Sequence, residues 1–263
     1  MAADPLFERV LCGIDGSPES AEAARQVARL APPGTPFLLV GVTQPYTGVP
    51  GGWTAVAVAV LETKRELEDA LERARADVGR LQPTGTLLVQ GAPIPTLLAT
   101  VEREGATLIA VGIQGRSRAV GIAIGSVATA MLHDARSSVY VARAAPPGRV
   151  RTITVGVDGS AVSAAALAAA RELAARLDAE LAAIVGLGGK AVDLEAARGL
   201  LAGAAVVEDD RDPVEALVAA GADLLVVGSR GLHGLRSLGS VSERVAHRAR
   251  CPVLVVREPP DRR

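Results

Sequence analysis

Two short runs of this chain carry residues that could hold an anion. The first is Asp15-Gly16-Ser17, which places a carboxylate beside a glycine able to turn tightly and a hydroxyl able to cap a helix. The second is Gly112-Ile113-Gln114-Gly115, then nine residues that include Arg116 and Arg118, then Gly125-Ser126. Glycines let a backbone close on a phosphate, and the free N–H groups and positive dipole end of a following helix favour negative charge. Ser126 adds a hydroxyl donor. A Cβ at Gly115 is expected to block the phosphate path or to disallow a positive φ. Arg116 and Arg118 read equally as solvated charges or as a phosphate clamp. Neither GxxxxGK[ST] nor a GxGxxG after the first strand is present, so the common P-loop and dinucleotide readings fail.

Each of these residues also has a plainer reading. Most Asp-Gly-Ser stretches cap helices or close turns, and that serves Asp15 until the later loop is considered with it. Gly112 and Gly115 could be punctuation between strand and loop. His133 and His247 fall in last helical turns, where an imidazolium complements the dipole, so they are read as structural. Cys12 and Cys251 have no metal or redox spacing and read as structural thiols. Trp53 is placed in a Gly/Pro-rich loop and packed against it. No catalytic residue and no metal ligand is assigned.

The elements that must position these groups alternate. Val10 to Ile14 reads as a buried strand, and Ser17-Pro18 then opens a helix running to about Leu30. Phe37 to Val42 is a second strand, followed by a long helix with Leu67, Leu71, Ala74 and Val78 at helical spacing and an Asp69–Arg73 pair on its wet side. Strands over Thr86 to Val89, Leu108 to Val111 and Val139 to Val141, with helices from Pro93 to Glu104 and Ser126 to Ala135, complete the half.

The pattern then repeats. Gly13 to Ala21 returns as Gly156 to Ala164 with six identities in nine positions, and Gly125-Ser126 through Arg143 returns as Gly239-Ser240 through Arg257 without a gap. The second half places strands near Thr152 to Val157, Leu181 to Leu187, Ala205 to Val207, Leu224 to Val227 and Val253 to Val256, with a short second helix around Asp193 to Leu201. Ala144 to Val150, with Pro146-Pro147-Gly148, is the linker. The chain is therefore expected to be α/β, two tandem doubly wound domains of five-stranded parallel sheet at 1–144 and 151–263.

Composition excludes other classes. Lys+Arg 28 against Asp+Glu 29 leaves a net charge of -1, and five aromatics give no stacking platform, so nucleic acid is not expected as a partner. The longest uncharged stretch, Gly34 to Leu61, is broken by prolines, and Asp4 and Glu8 sit where a secretory signal needs basic and apolar residues. No membrane partner is expected, and the cytoplasm is.

On the Asp15 strand end, the Gly112-x-x-Gly115 loop of nine residues closing on Gly125-Ser126, Gly91-Ala92-Pro93 and the His-x-Ala before the last strand, the chain resembles the universal stress protein family in its tandem, ATP-binding form. The resemblance covers nearly the whole chain, twice over. It implies an adenine nucleotide alpha hydrolase-like fold and a cytosolic regulatory role in stress response. The ligand that the resemblance implies is ATP, with Mg as companion. Gly112, Gly115, Gly125 and Ser126 would hold phosphates, Val42 would line the adenine pocket, and Asp15 would face either the adenosine or a metal-water cluster. The terminal strands would pair within the chain as a pseudo-dimer, and a homodimer of whole chains is compatible.

The second half departs from this pattern. Gly228-Ser229-Arg230-Gly231 is followed by seven residues before Gly239-Ser240, a loss of about 6 to 7 Å of reach, and Arg211 stands where Gly91 does. Arg211 would clash with a nucleotide or neutralise it. Asp158, Gly228, Gly231, Gly239 and Ser240 are thus expected to form a weaker site or none. Two alternatives remain open at this level: an interaction module of the same fold without nucleotide, and a slow ATP-hydrolysing or phosphotransfer enzyme.

Overall fold

A computed structural model describes residues 5–44, 52–115, 124–144, 149–188, 192–201, 206–229 and 241–257. The chain divides into two compact units, Met1–Met131 and Leu132–Arg263.

The first unit is built on β1 (Val10–Ile14), β2 (Phe37–Thr43), β3 (Thr84–Gln90) and β4 (Leu108–Gly112), joined by α1 (Pro18–Leu30), α2 (Gly52–Val78) and α3 (Pro93–Glu104). The strands are parallel in the order β3-β2-β1-β4. The order reverses between β1 and β4, which opens a crevice beyond their carboxyl ends. Local chemistry explains the element limits. Ser17 caps α1 by accepting from Ser20 N–H, with Pro18 at the first helical position. Gly105, in the left-handed conformation, ends α3. In α2 the residues Leu67, Ala70, Leu71, Ala74 and Val78 are all buried. Gly41 of β2 lets this stripe settle, because a Cβ there would lie 3.0 Å from Leu67 Cγ and 3.1 Å from Leu71 Cδ1.

Two sequence readings need correction on α2. The ion pairs along it are Lys64–Glu68 and Glu72–Arg75, not Asp69–Arg73; both pairs obey the same one-turn spacing. Trp53 falls within the helix, since α2 begins at Gly52, and its side chain lies outside the described residues.

The helix α4 (Ser126–Asp134) leads into β5 (Ser138–Ala142), which lies in the second unit. That unit adds β6 (Thr152–Gly156), α5 (Ala161–Leu177), β7 (Glu180–Gly186), α6 (Leu194–Leu200), β8 (Val206–Asp209), α7 (Pro213–Ala219), β9 (Leu224–Gly228), α8 (Val241–Arg248) and β10 (Val253–Val256). Strands β8, β7, β6, β9 and β10 follow one another in parallel, and β10 pairs antiparallel with β5, Leu254 opposite Tyr140. All five residues of β5 are buried, so an apolar strand that would otherwise be an edge is covered. Two arginines at equivalent repeat positions satisfy helix ends here: Arg143 donates to the carbonyls of Ala246 and His247 in α8, and Arg257 donates to the carbonyl of Leu132 in α4. His133 Nε2 lies 2.9 Å from Glu243 Oε1, consistent with a packing role.

Candidate functional site

Asp15 follows directly on β1, and its carboxylate is held by its own turn. Oδ1 accepts from Ser17 N–H at 2.9 Å and from Ser17 Oγ–H at 2.6 Å. Ser17 Oγ in turn accepts from Ser20 N–H at 3.2 Å, while Ser20 Oγ–H donates to Ser17 O and accepts from Asp15 N–H. Gly16 takes φ +85°, which lets this turn close. The turn-closing role read from the sequence is therefore real, but it occupies Oδ1. Oδ2 is directed at Gly115.

Gly112 and Gly115 are glycines for different reasons. A Cβ on Gly112 would meet the backbone carbon of Glu19 at 2.7 Å, so β4 ends in direct contact with the start of α1. A Cβ on Gly115 would fall 2.4 Å from Asp15 Oδ2. Gly115 is not among the positive-φ residues, which corrects the expectation of a positive φ. The constraint is the carboxylate across the crevice. Gly125 closes the loop at its neck, its N–H donating to Ile113 O at 2.7 Å, and its carbonyl accepts from Thr129 N–H as α4 begins. The loop residues 116–123, with Arg116 and Arg118, lie outside the described residues.

These groups face one cavity of about 1060 Å³, at the upper end of the range for small-molecule sites. Asp15, Val42, Gly112, Gly115, Gly125 and Ser126 all line it. Its apolar wall includes Val40, Val42, Leu67, Leu88, Leu97 and Val111. Its polar end carries Asp15, the glycine loop and the first turn of α4, whose Ser126, Val127 and Ala128 all reach it. The arrangement can take a ligand with a flat apolar part and an anionic tail, the tail meeting helix N–H groups. Thr63, Lys64 and Glu68 of α2 also line the cavity and were not singled out from the sequence. Only part of the signal was available: 63 and 64 precede Leu67 by four and three residues, which puts them near its face of the helix without showing that this face overlooks the cavity.

No three His, Cys, Asp or Glu residues gather as a metal site among the described residues. A Mg²⁺ ion, which commonly keeps waters and uses one or two carboxylates with ligand phosphates, fits Asp15 only as a companion of a phosphate ligand.

Among the described residues, the second half repeats the turn but differs at the corner that Val42 lines in the first half. Asp158 Oδ1 accepts from Ser160 N–H at 3.0 Å and Ser160 Oγ–H at 2.5 Å, and Gly159 takes φ +83°. Here, however, the start of α6 presses onto the turn: a Cβ on Gly159 would lie 2.5 Å from Asp193 O. By strand register the counterpart of Val42 is Gly186, and a Cβ there would lie 2.5 Å from Pro213 Cα. Beyond it, Leu187 N–H and Gly188 N–H donate to Asp209 O and Arg211 O, which ties the end of β7 to the start of α7. Arg211 is engaged within its own turn. Its guanidinium pairs with Asp209 at 2.5 Å and holds that carboxyl at about 2, below its ordinary value. Gly228 ends β9 against Val162 O, as Gly112 does against Glu19. Gly231, Gly239 and Ser240 lie outside the described residues.

The model of the Universal stress protein family matches residues 6–143 and 204–257. The chain belongs to the universal stress protein family. A universal stress protein of Mycobacterium tuberculosis is 33% identical, over 95% of this chain and 97% of its own length. Another from the same organism is 31% identical over 95% and 96%. The crystal structure of a universal stress protein from Archaeoglobus fulgidus, 22% identical, superposes with a TM-score of 0.75 over 98% of this chain and all of its own, and so shares the universal stress fold. Among the described residues, no helix of this universal stress protein is long and apolar enough to cross a membrane.

Proposed function

We propose that this universal stress protein is a cytoplasmic regulatory protein that binds ATP in the cavity of its first half. The observation that carries the reading is that six residues drawn from β1, β2, the end of β4 and the start of α4 line one space. The adenine would lie on the aliphatic wall around Val42, where no aromatic stacking is needed. The phosphates would meet the backbone at Gly112, Gly115 and Gly125 and the N–H and hydroxyl of Ser126, with Mg²⁺ carried on them beside Asp15. Domains at 1–144 and 151–263 belong to this reading, with β5 and β10 joining them as a pseudo-dimer. The second half would hold nucleotide weakly or not at all, a view supported by the contacts of Gly159 with Asp193 and of Gly186 with Pro213. Occupancy, read through the order of the 116–124 loop, would be the signal. Binding comes before catalysis here, because phosphoryl transfer needs a placed base or water-orienting group that no residue has been assigned.

The test is direct. The purified chain is denatured and the released small molecules are identified by absorbance and mass. Adenine nucleotide should appear, and ATP at 100 times Kd should stabilise the protein by about 2.7 kcal/mol. Absence of nucleotide together with no ATP-dependent rise in Tm overturns the reading in favour of a nucleotide-free interaction module.

A further inference from the structure

We infer that Lys64 on α2 is the cation that meets the anionic part of the ligand, and that Glu68 competes for it; this rests on the nucleotide reading above. Among the described residues lining the cavity, Lys64 is the one cation, set against the two carboxylates of Asp15 and Glu68. Among the described lining residues the two carboxylates outnumber the cation, so Lys64 is the side chain there that can offer a polyanionic ligand an opposite charge.

The geometry allows Lys64 to turn toward such a ligand. Lys64 Nζ is 3.6 Å from Glu68 Oε1, and the two side chains are 52% and 48% exposed. Such a pair is screened by water and contributes little to holding the ammonium where it is. The helix beneath does not need to move. Leu67 and Leu71 are buried and seated on Gly41, which fixes the face bearing Lys64 above β2. Only the four-carbon stem must swing, and a point charge on a flexible stem suits a phosphate of variable position. Glu68, one turn along the same face, pairs loosely with Lys64 when no ligand is present and repels phosphate when one is. Lys64 therefore adds to affinity for charged ligands and Glu68 subtracts from it. Neither acts on an uncharged nucleoside, so the pair discriminates nucleotide from nucleoside.

The experiment uses the full chain as wild type, Lys64→Met and Glu68→Gln, titrated calorimetrically with Mg-ATP and, separately, with adenosine. Both substitutions place good helix formers at half-exposed positions, so folding should be retained and is checked by circular dichroism. Lys64→Met should weaken ATP about fivefold and Glu68→Gln should tighten it about twofold, the scale of exposed charge contacts. Adenosine affinity should be unchanged in both, and raised salt should shrink both ATP effects. The inference is overturned if Lys64→Met leaves ATP affinity unchanged, if it weakens ATP and adenosine alike, or if Glu68→Gln weakens ATP. Failure of the wild type to bind ATP overturns the nucleotide reading itself and this inference with it, a result distinct from normal wild-type binding that ignores Lys64.

Discussion

Gly115→Ala should be destabilising for a reason that a second substitution can remove. The added Cβ would stand 2.4 Å from Asp15 Oδ2, where ordinary contact begins near 3.4 Å, so the carboxylate must retreat by about 1 Å. That retreat is opposed by the bonds that Oδ1 accepts from Ser17 N–H and Oγ–H at 2.9 and 2.6 Å. Losing one hydrogen bond to a charged group costs about 1.5–3 kcal/mol. Because Gly115 is not held at positive φ, alanine also narrows the unfolded ensemble, which returns about 0.4–1 kcal/mol. The net loss is about 1–2 kcal/mol, or a fall in Tm of about 3–6 °C in calorimetry. In an Asp15→Ala background the obstacle is gone, and Gly115→Ala should become stabilising by about 0.4–1 kcal/mol. This reversal of sign is the decisive measurement. If Gly115→Ala costs the same with and without the Asp15 carboxylate, the account of why glycine stands at 115 is wrong.

Other outcomes follow from the second half and its charges. Gly186→Ala, which drives a methyl into Pro213, should destabilise by about 1–3 kcal/mol in urea unfolding while leaving ATP affinity intact; a loss of ATP affinity would place the ligand in the wrong half. Asp209, paired with Arg211, should titrate by NMR with a midpoint of about 2, so its contribution to stability is complete above its ordinary 3.8 and is lost as pH falls from there toward 2. Arg211→Gln should bring that midpoint back up, and an unchanged midpoint would refute the pairing. Leu67→Ala should cost about 2–5 kcal/mol in chemical denaturation and enlarge the cavity wall, since Leu67 is buried over Gly41.

Much of the fold was legible because its signals are local. Ser17-Pro18 announces the start of α1, and Pro93 the first residue of α3. The glycine loop and Asp15 could be nominated from type and spacing. What could not be read is set by contacts far apart in the chain. The reason for Gly115 lies one hundred positions away at Asp15, and the closing of the second-half corner depends on Pro213 meeting Gly186. Lys64 and Glu68 were hidden differently. Their spacing is visible, but which face of α2 overlooks the cavity depends on how the helix crosses the sheet, and that is fixed by the absence of a side chain at Gly41.

The neck formed by Gly125 N–H and Ile113 O separates the length of the glycine loop from the stability of the fold. With two ends already pinned by strand and helix, the entropy of closing a chain between them varies only with the logarithm of its length. Going from the seven residues of the later copy to nine changes that term by about 0.2 kcal/mol. Insertions and deletions here are therefore almost invisible to folding. The two-residue difference between the copies thus bears on what each loop can reach, and the shortened copy costs the duplicated fold almost nothing.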